Sequence, residues 1–118
     1  MGHVYVQVTL SNPTNPALQR TAEAMVDTDA TFTIVPKALA DELQLPITGK
    51  TRVRTAAEPV GLARARAMVQ INGSSDVNPV LISETLERVL IGVITLETLS
   101  LSVDPTSGEL REAEAFLY

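Results

Sequence analysis

The sequence predicts a mostly β domain, and three observations lead to that prediction. Hydrophobic residues make up 45% of the chain but aromatic residues only 3%, so aliphatic side chains, many of them β-branched, must build the core. Such residues favour strands. Seven prolines and six glycines divide the chain into short segments. Residues 4–10 alternate between apolar and polar side chains, as in a half-buried strand.

The length and charge of the chain limit its class. With 118 residues, we expect residues 1–118 to form a single domain. The net charge of −5 disfavours a nucleic-acid partner. The absence of cysteine leaves no disulfide or thiolate chemistry and fits a cytoplasmic location. No apolar run approaches the roughly 20 residues of a membrane span, so we expect no membrane association.

The first half is predicted to form two hairpin-like strands, a short strand and a helix. Proline suits the first helical position because its missing N–H would be unpaired there, and the helix must end before Pro46. The predicted segments are a strand at Val4–Leu10, a reversal at Ser11–Pro16, strands at Thr21–Val26 and Phe32–Val35, and a helix opened by Pro36.

The second half is predicted to contain further hairpins. Asn72-Gly73 is the strongest hairpin signal, since both residues accept the positive φ of a tight turn. The predicted segments are strands at Lys50–Thr55 and Leu62–Ile71 joined by Ala56–Gly61, a strand at Val77–Ile82, a helical turn at Ser83–Arg88, a strand at Val89–Gly92, a helix at Thr95–Leu99, a strand at Leu101–Val103, a turn at Asp104–Gly108 and an apolar end at Phe116–Tyr118. The predicted core residues are Leu10, Val26, Phe32, Val35, Leu43, Ile71, Leu81 and Leu90.

One pair of sequence motifs is typical of a catalytic site. Residues 24–31 read Ala-Met-Val-Asp-Thr-Asp-Ala-Thr, and about 65 residues later comes Leu90-Ile91-Gly92, followed by a short helix. The chain resembles the retropepsin-like aspartic proteases, whose loop reads Asp-Thr/Ser-Gly-Ala and whose later strand reads apolar-apolar-Gly. It is most similar to small bacterial and archaeal members. The resemblance covers Thr21 to Leu110, and the order and spacing of the motifs make it specific.

The resemblance implies a closed acid-protease barrel with one or two short helices that works as a homodimer. Asp27 would meet its symmetry mate, and the pair would activate a water molecule to hydrolyse a peptide or protein substrate, without metal or cofactor. Thr28 would join the two loops and Ala30 would lie beside the cleft. Gly92 would support the loop, and the Ala56–Gly61 hairpin would be the flap. The flap residues are Ala57, Val60 and Gly61.

The chain departs from the family pattern at Asp29, where the motif has glycine. An aspartate adds bulk and negative charge beside the shared proton, and a dimer would then hold four carboxylates in a small space. Two functions therefore stay open. One is an aspartic endopeptidase impaired by Asp29, and the other is an inactive dimeric module that binds peptide or serves assembly.

Other sequence patterns give weaker support for a function. Asp27-x-Asp29 also matches the nucleophile loop of haloacid dehalogenase-like phosphatases, but that fold needs a longer doubly wound α/β domain and further magnesium-binding acids. An EF-hand reading fails at Phe32, where that loop requires glycine. The arginines that alternate along the flap strands are predicted to share its solvent face: Arg52, Arg54, Arg64 and Arg66.

Overall fold

The computed structural model describes residues 3–104 and 106–113, and this part of the chain is mostly β with two short helices, as predicted. The strands are β1 (Val4–Asn12), β2 (Asn15–Val26), β3 (Thr33–Pro36), β4 (Ile47–Arg54), β5 (Pro59–Ile71), β6 (Ser74–Ser83), β7 (Val89–Ile91), β8 (Leu101–Val103) and β9 (Leu110–Glu112). The helices are α1 (Lys37–Glu42) and α2 (Val93–Thr98). No helix in these ranges is long and apolar enough to cross a bilayer.

Seven strands form one sheet in the order β1-β2-β7-β3-β6-β5-β4. Strand β1 also pairs with β5, so six strands form a closed ring of neighbours and β4 lies outside it. Pairs β2–β7 and β3–β6 are parallel, whereas the other pairs of this sheet are antiparallel. The parallel pairs bring the ends of β2 and β7 to the same edge.

The first reversal is shorter than predicted, because β2 already begins at Asn15. The Asn12 side chain fixes a tight turn: its Oδ1 accepts the Thr14 N–H at 2.9 Å, and its Nδ2 donates to the Leu43 and Gln44 carbonyls. With the turn held by one buried amide, the polar residues after it continue directly as a strand.

The Asn72-Gly73 hairpin is confirmed. Asn72 has φ 51° and Gly73 has φ 83°, and the turn joins β5 to β6 with Ile71 opposite Ser74. Positive φ at both central residues matches the right-handed twist of the flanking strands.

Two predicted helix starts and one predicted helical turn are wrong. Pro36 ends β3 in an extended conformation, with ψ 141°, and the helix begins one residue later. The second helix begins at Val93 instead of Thr95. Ser83–Arg88 forms no helix, because the Ser83 hydroxyl accepts the N–H groups of Thr85 and Leu86 and holds a bend.

Six of the eight predicted core residues are buried: Leu10, Val26, Val35, Leu43, Ile71 and Leu81. Phe32 and Leu90 are only partly buried, so their prediction as core residues is wrong. Leu90 lies between buried Val89 and Ile91, and the two-residue period of a strand turns its side chain to the opposite face. The predicted apolar end at Phe116–Tyr118 lies outside the described residues.

Candidate active-site loop and hairpin

The Asp27 loop begins where β2 ends beside β7. The Asp27 N–H donates to the Ile91 carbonyl at 2.9 Å, which extends the β2–β7 pairing by one residue. The Ala30 N–H then donates to the Asp27 carbonyl at 3.1 Å and closes a tight turn. The backbone of Asp27 is therefore fixed on both sides by hydrogen bonds.

The start of α2 holds the far side of the same loop. The Val93 N–H donates to the Ala30 carbonyl at 2.8 Å, and the Ile94 N–H donates to the Thr31 carbonyl at 3.0 Å. The first N–H groups of a helix have no partner inside the helix. Here the loop carbonyls satisfy them, so the loop and α2 form one hydrogen-bonded unit.

Gly92 permits this contact because it has no side chain. A Cβ at position 92 would lie 2.5 Å from the carbonyl carbon and oxygen of Phe32 and 3.0 Å from the Ala30 oxygen. The φ of Gly92 is −96°, so the requirement is for space and not for an unusual backbone angle. This contact agrees with the supporting position that the resemblance implies for Gly92.

A buried pair of hydroxyls below the loop was missed by the sequence reasoning. Thr33 Oγ1 lies 2.6 Å from Thr95 Oγ1 and accepts the Gly92 N–H at 3.1 Å. Both threonines are fully buried. The sequence offered one signal for this pair. Thr33 opens an otherwise apolar strand, and Thr95 lies 62 residues later in a largely apolar segment. Hydroxyls buried in such segments need hydrogen-bond partners.

The Asp27 carboxylate is partly accessible, and its Oδ1 accepts the Asp29 N–H at 3.0 Å. Thr28 and Asp29 are exposed, and Ala30 is half-buried. Within the described chain, neither the Thr28 hydroxyl nor the Asp29 carboxylate has a hydrogen-bond or ion-pair partner. Asp29 also has no positive φ, so the backbone at this position accepts an aspartate without strain.

The predicted flap corresponds to the β4–β5 hairpin, but its turn is shorter than predicted. Only residues 55–58 lie between the strands, and the Thr55 hydroxyl closes them by accepting the N–H groups of Ala57 and Glu58. Gly61 was predicted as a turn residue, but it pairs with Arg52 inside β5. A Cβ on Gly61 would contact nothing within 4 Å, so nothing in the turn requires glycine there.

The predicted flap residues do not share one face. Ala57 lies in the exposed turn. Val60 pairs with Val53 and is 42% exposed, whereas Gly61, the next residue, points to the other face of the hairpin.

The arginines of the hairpin also divide between the two faces, which corrects the prediction that all four share one. Arg52 pairs with Gly61, and Arg54 pairs with Pro59, on the face of β5 that continues to buried Ala65. Arg64 and Arg66 lie on the opposite face. Even-numbered residues of β4 pair with odd-numbered residues of β5. Alternation within each strand therefore does not put the arginines of both strands on one face.

Among the described residues, no group of three or more His, Cys, Asp or Glu side chains is placed to hold a metal ion. The loop carries two carboxylates per chain, the partly accessible Asp27 and the exposed Asp29, and hydrogen bonds to β7 and α2 fix its backbone. A single carboxylate of this kind can accept or donate one proton.

Comparison with known proteins agrees with these features. A family model described as "gag-polyprotein putative aspartyl protease" matches residues 19–109, a span that includes the Asp27 loop, the β4–β5 hairpin and Gly92. No curated protein matches the chain. Because the family model covers well over half of the sequence, the chain belongs to this retropepsin-like aspartyl protease family.

Proposed function

We propose that the protein is an aspartic endopeptidase whose site is completed by two copies of the chain. The observation that carries the proposal is the position of Asp27, an accessible carboxylate on a loop fixed by hydrogen bonds to β7 and α2. Membership of the aspartyl protease family supports it.

The chemistry needs two carboxyl groups in different protonation states. One ionised Asp27 takes a proton from water while the water oxygen bonds to the carbonyl carbon of the peptide. The other, protonated Asp27 donates its proton as the carbon–nitrogen bond breaks and the amine leaves.

A homodimer follows from this requirement, because the chain carries one such loop. The exposed Thr28 hydroxyl, which has no partner within the described chain, is free to bond across a two-fold axis. We further propose that the closed ring of strands is the acid-protease barrel implied by the resemblance. Under this proposal Ala30 lies beside the cleft, and the hairpin that carries Ala57 closes over the peptide.

A second candidate is a dimeric peptide-binding or assembly module without turnover. Asp29 favours it, because its exposed carboxylate has no positive partner among the described residues. In a dimer, two Asp29 side chains would place further negative charge beside the two Asp27 side chains and fill space that the motif glycine leaves open. The phosphatase alternative loses support, since the main sheet is largely antiparallel and not doubly wound.

The test is digestion of a peptide library at about pH 4 to 6. We expect cleavage by the natural chain and by Asp29→Gly, with faster cleavage by the glycine form. Asp27→Asn is the matched control for contaminating proteases. Cleavage by the glycine form alone would mean that Asp29 silences the site. Peptide binding without cleavage by either form would favour the binding module.

A further inference from the structure

The β4–β5 hairpin carries a charge opposite to that of the rest of the chain. Five of the nine basic residues but only one of the fourteen acidic residues lie between positions 47 and 66. This segment therefore has a net charge of +4, and the remainder has −9. Basic residues concentrated on one hairpin of an acidic protein create a local field that attracts negative ligands.

Three of these charges lie in a row on the edge strand. Lys50, Arg52 and Arg54 alternate along β4 and so point to one face, about 6.7 Å apart. Among the described residues their side chains make no hydrogen bond and no ion pair. All three are exposed. Arg52 and Arg54 also line an open recess of about 320 Å³ together with Val53 and Pro59.

The neighbouring Arg64 is different, because it is engaged within the hairpin. Its Nη1 donates to the Thr51 hydroxyl at 2.8 Å and to the Lys50 carbonyl at 3.2 Å. Gly49, with φ 156°, leaves room for this guanidinium, since a Cβ there would lie 2.8 Å from Arg64 Nη2. Arg64 thus stiffens the hairpin from the opposite face and leaves the three β4 cations free.

The backbone of β4 is also free on one side. Within the described residues β4 pairs only with β5 and ends the sheet order, so its outer N–H and C=O groups face away from the sheet. An exposed edge of this kind accepts an additional extended strand. Alternate side chains of that strand would stand opposite alternate side chains of β4.

We infer that the β4 edge binds an extended acidic peptide segment, with carboxylates at alternate positions opposite Lys50, Arg52 and Arg54. This deepens the proposed function and rests on it, because it names acidic peptides as the preferred substrate class. Two features together carry the inference: within residues 3–104 and 106–113, the outer edge of β4 pairs with no strand, and a regular row of cations on β4 has no partner.

The test measures peptide binding on the Asp27→Asn form, so that the probe stays intact. The probes are fluorescein-labelled Ser-Glu-Thr-Glu-Thr-Glu-Ser, its Gln counterpart, and a peptide of equal charge with its three Glu residues adjacent. We expect the alternating acidic peptide to bind roughly tenfold more tightly than the Gln peptide, as three exposed ion pairs allow. The advantage should fall as salt is raised. Equal affinity for the acidic and neutral peptides would overturn the inference.

Two double variants locate the site. The double variant Arg52→Gln with Arg54→Gln should lose most of its preference for the alternating Glu peptide over the Gln peptide. Lys37→Gln with Arg66→Gln removes the same charge from α1 and from the other face of the hairpin, and should leave the preference nearly unchanged. Equal losses in the two double variants would mean that only net charge matters, and would contradict the inference. A change in the mass of the oligomer instead of in peptide affinity would show that the occupant is a second copy of the chain.

Turnover by the natural chain separates the two proposals. Cleavage without any preference for acidic peptides would leave the proposed function standing and remove this inference. Selective binding of acidic peptides by the natural chain, without cleavage of any peptide, would remove the proposed function and leave the β4 edge as a site that binds acidic peptides without hydrolysing them.

Discussion

The Asp27 loop and the β4–β5 hairpin are both irregular features at the ends of strands, but they are held very differently. Each side of the loop is hydrogen-bonded to another element, through Ile91 on one side and through the start of α2 on the other. Among the described residues, Thr55 is the only one whose side chain hydrogen-bonds the turn at residues 55–58, and residues 55–61 are all exposed. Under the proposed function, the fixed loop would hold the catalytic carboxylate and the exposed hairpin would close over the peptide.

The contrast also shows why glycine has different roles in the two regions. Gly92 is buried against the backbone of Phe32, and any side chain there would displace the loop. Gly61 lies in open space at the exposed start of β5. The same residue type is therefore essential in one region and replaceable in the other.

The largest expected effect is that of Asp27→Asn on turnover. Loss of the proton-accepting carboxylate should lower kcat by roughly a thousandfold or more. The change is isosteric, so the thermal unfolding temperature should stay close to that of the natural chain. Rate assays with a purified cleavable peptide, accompanied by circular dichroism, check both. Retention of full activity would exclude Asp27 as the catalytic acid or base.

Gly92→Ala should cost the most stability. Its Cβ would overlap the Phe32 carbonyl, and forced overpacking of this kind costs about 1 to 3 kcal/mol. Gly61→Ala is the matched control, and we expect it to be neutral or slightly stabilising, since the added methyl meets no atom and the unfolded chain loses entropy. Urea titration of both variants measures the difference. Equal effects would contradict the close approach seen at Gly92.

Thr33→Val should cause the next largest loss of stability. It removes the acceptor for the Gly92 N–H and the partner of the Thr95 hydroxyl, leaving two buried polar groups unpaired, at a cost of about 1 to 3 kcal/mol. Thr9→Val breaks a similar hydroxyl pair with Thr21 at 2.8 Å, but that pair is exposed. Water can replace the lost bond there, so the cost should be clearly smaller. Equal shifts of the denaturant midpoint in Thr33→Val and Thr9→Val would show that burial does not make the Thr33–Thr95 pair more stabilising than the exposed pair.

The smallest expected effect concerns acid stability. The Thr106 N–H donates to Asp104 Oδ1 at 2.8 Å, and this backbone hydrogen bond is the main cause that lowers the pKa of Asp104 below its usual 3.8. The stabilisation is fully present above the unfolded pKa, near 3.8, and is lost as pH falls through the lower folded pKa. Asp104→Asn should therefore flatten the fall in unfolding free energy below about pH 4. An unchanged acid slope would contradict this assignment.

Much of the fold follows from local patterns in the sequence. Asn72-Gly73 specified its hairpin because few residues accept positive φ, and Val4 to Leu10 specified a strand through alternation. The helix boundaries were missed by one or two residues, because helix ends depend on tertiary contacts: the first N–H of α2, that of Val93, donates to the distant Ala30 carbonyl. Asn12 likewise shortened a predicted turn through contacts with distant carbonyls.

The candidate site was predicted only in part, for a similar reason. The motif around Asp27 and the glycine at position 92 are visible in the sequence, and the structure brings them together through Ala30. The Thr33–Thr95 pair joins residues far apart in the chain and has no local signature. The two-faced distribution of the arginines depends on the register between β4 and β5, including the irregularity between Ile47 and Gly49, which no spacing rule supplies.

In the proposed active site, two chains contribute one carboxylate each, and mixing natural and variant chains tests this sharing directly. The natural chain and Asp27→Asn are combined in varied proportions at constant total concentration, equilibrated, and assayed on one peptide. Random pairing predicts that activity follows the square of the natural fraction, so an equal mixture retains about one quarter of the activity. An equal mixture that retains about one half would show that each chain acts alone, and the shared site would be contradicted.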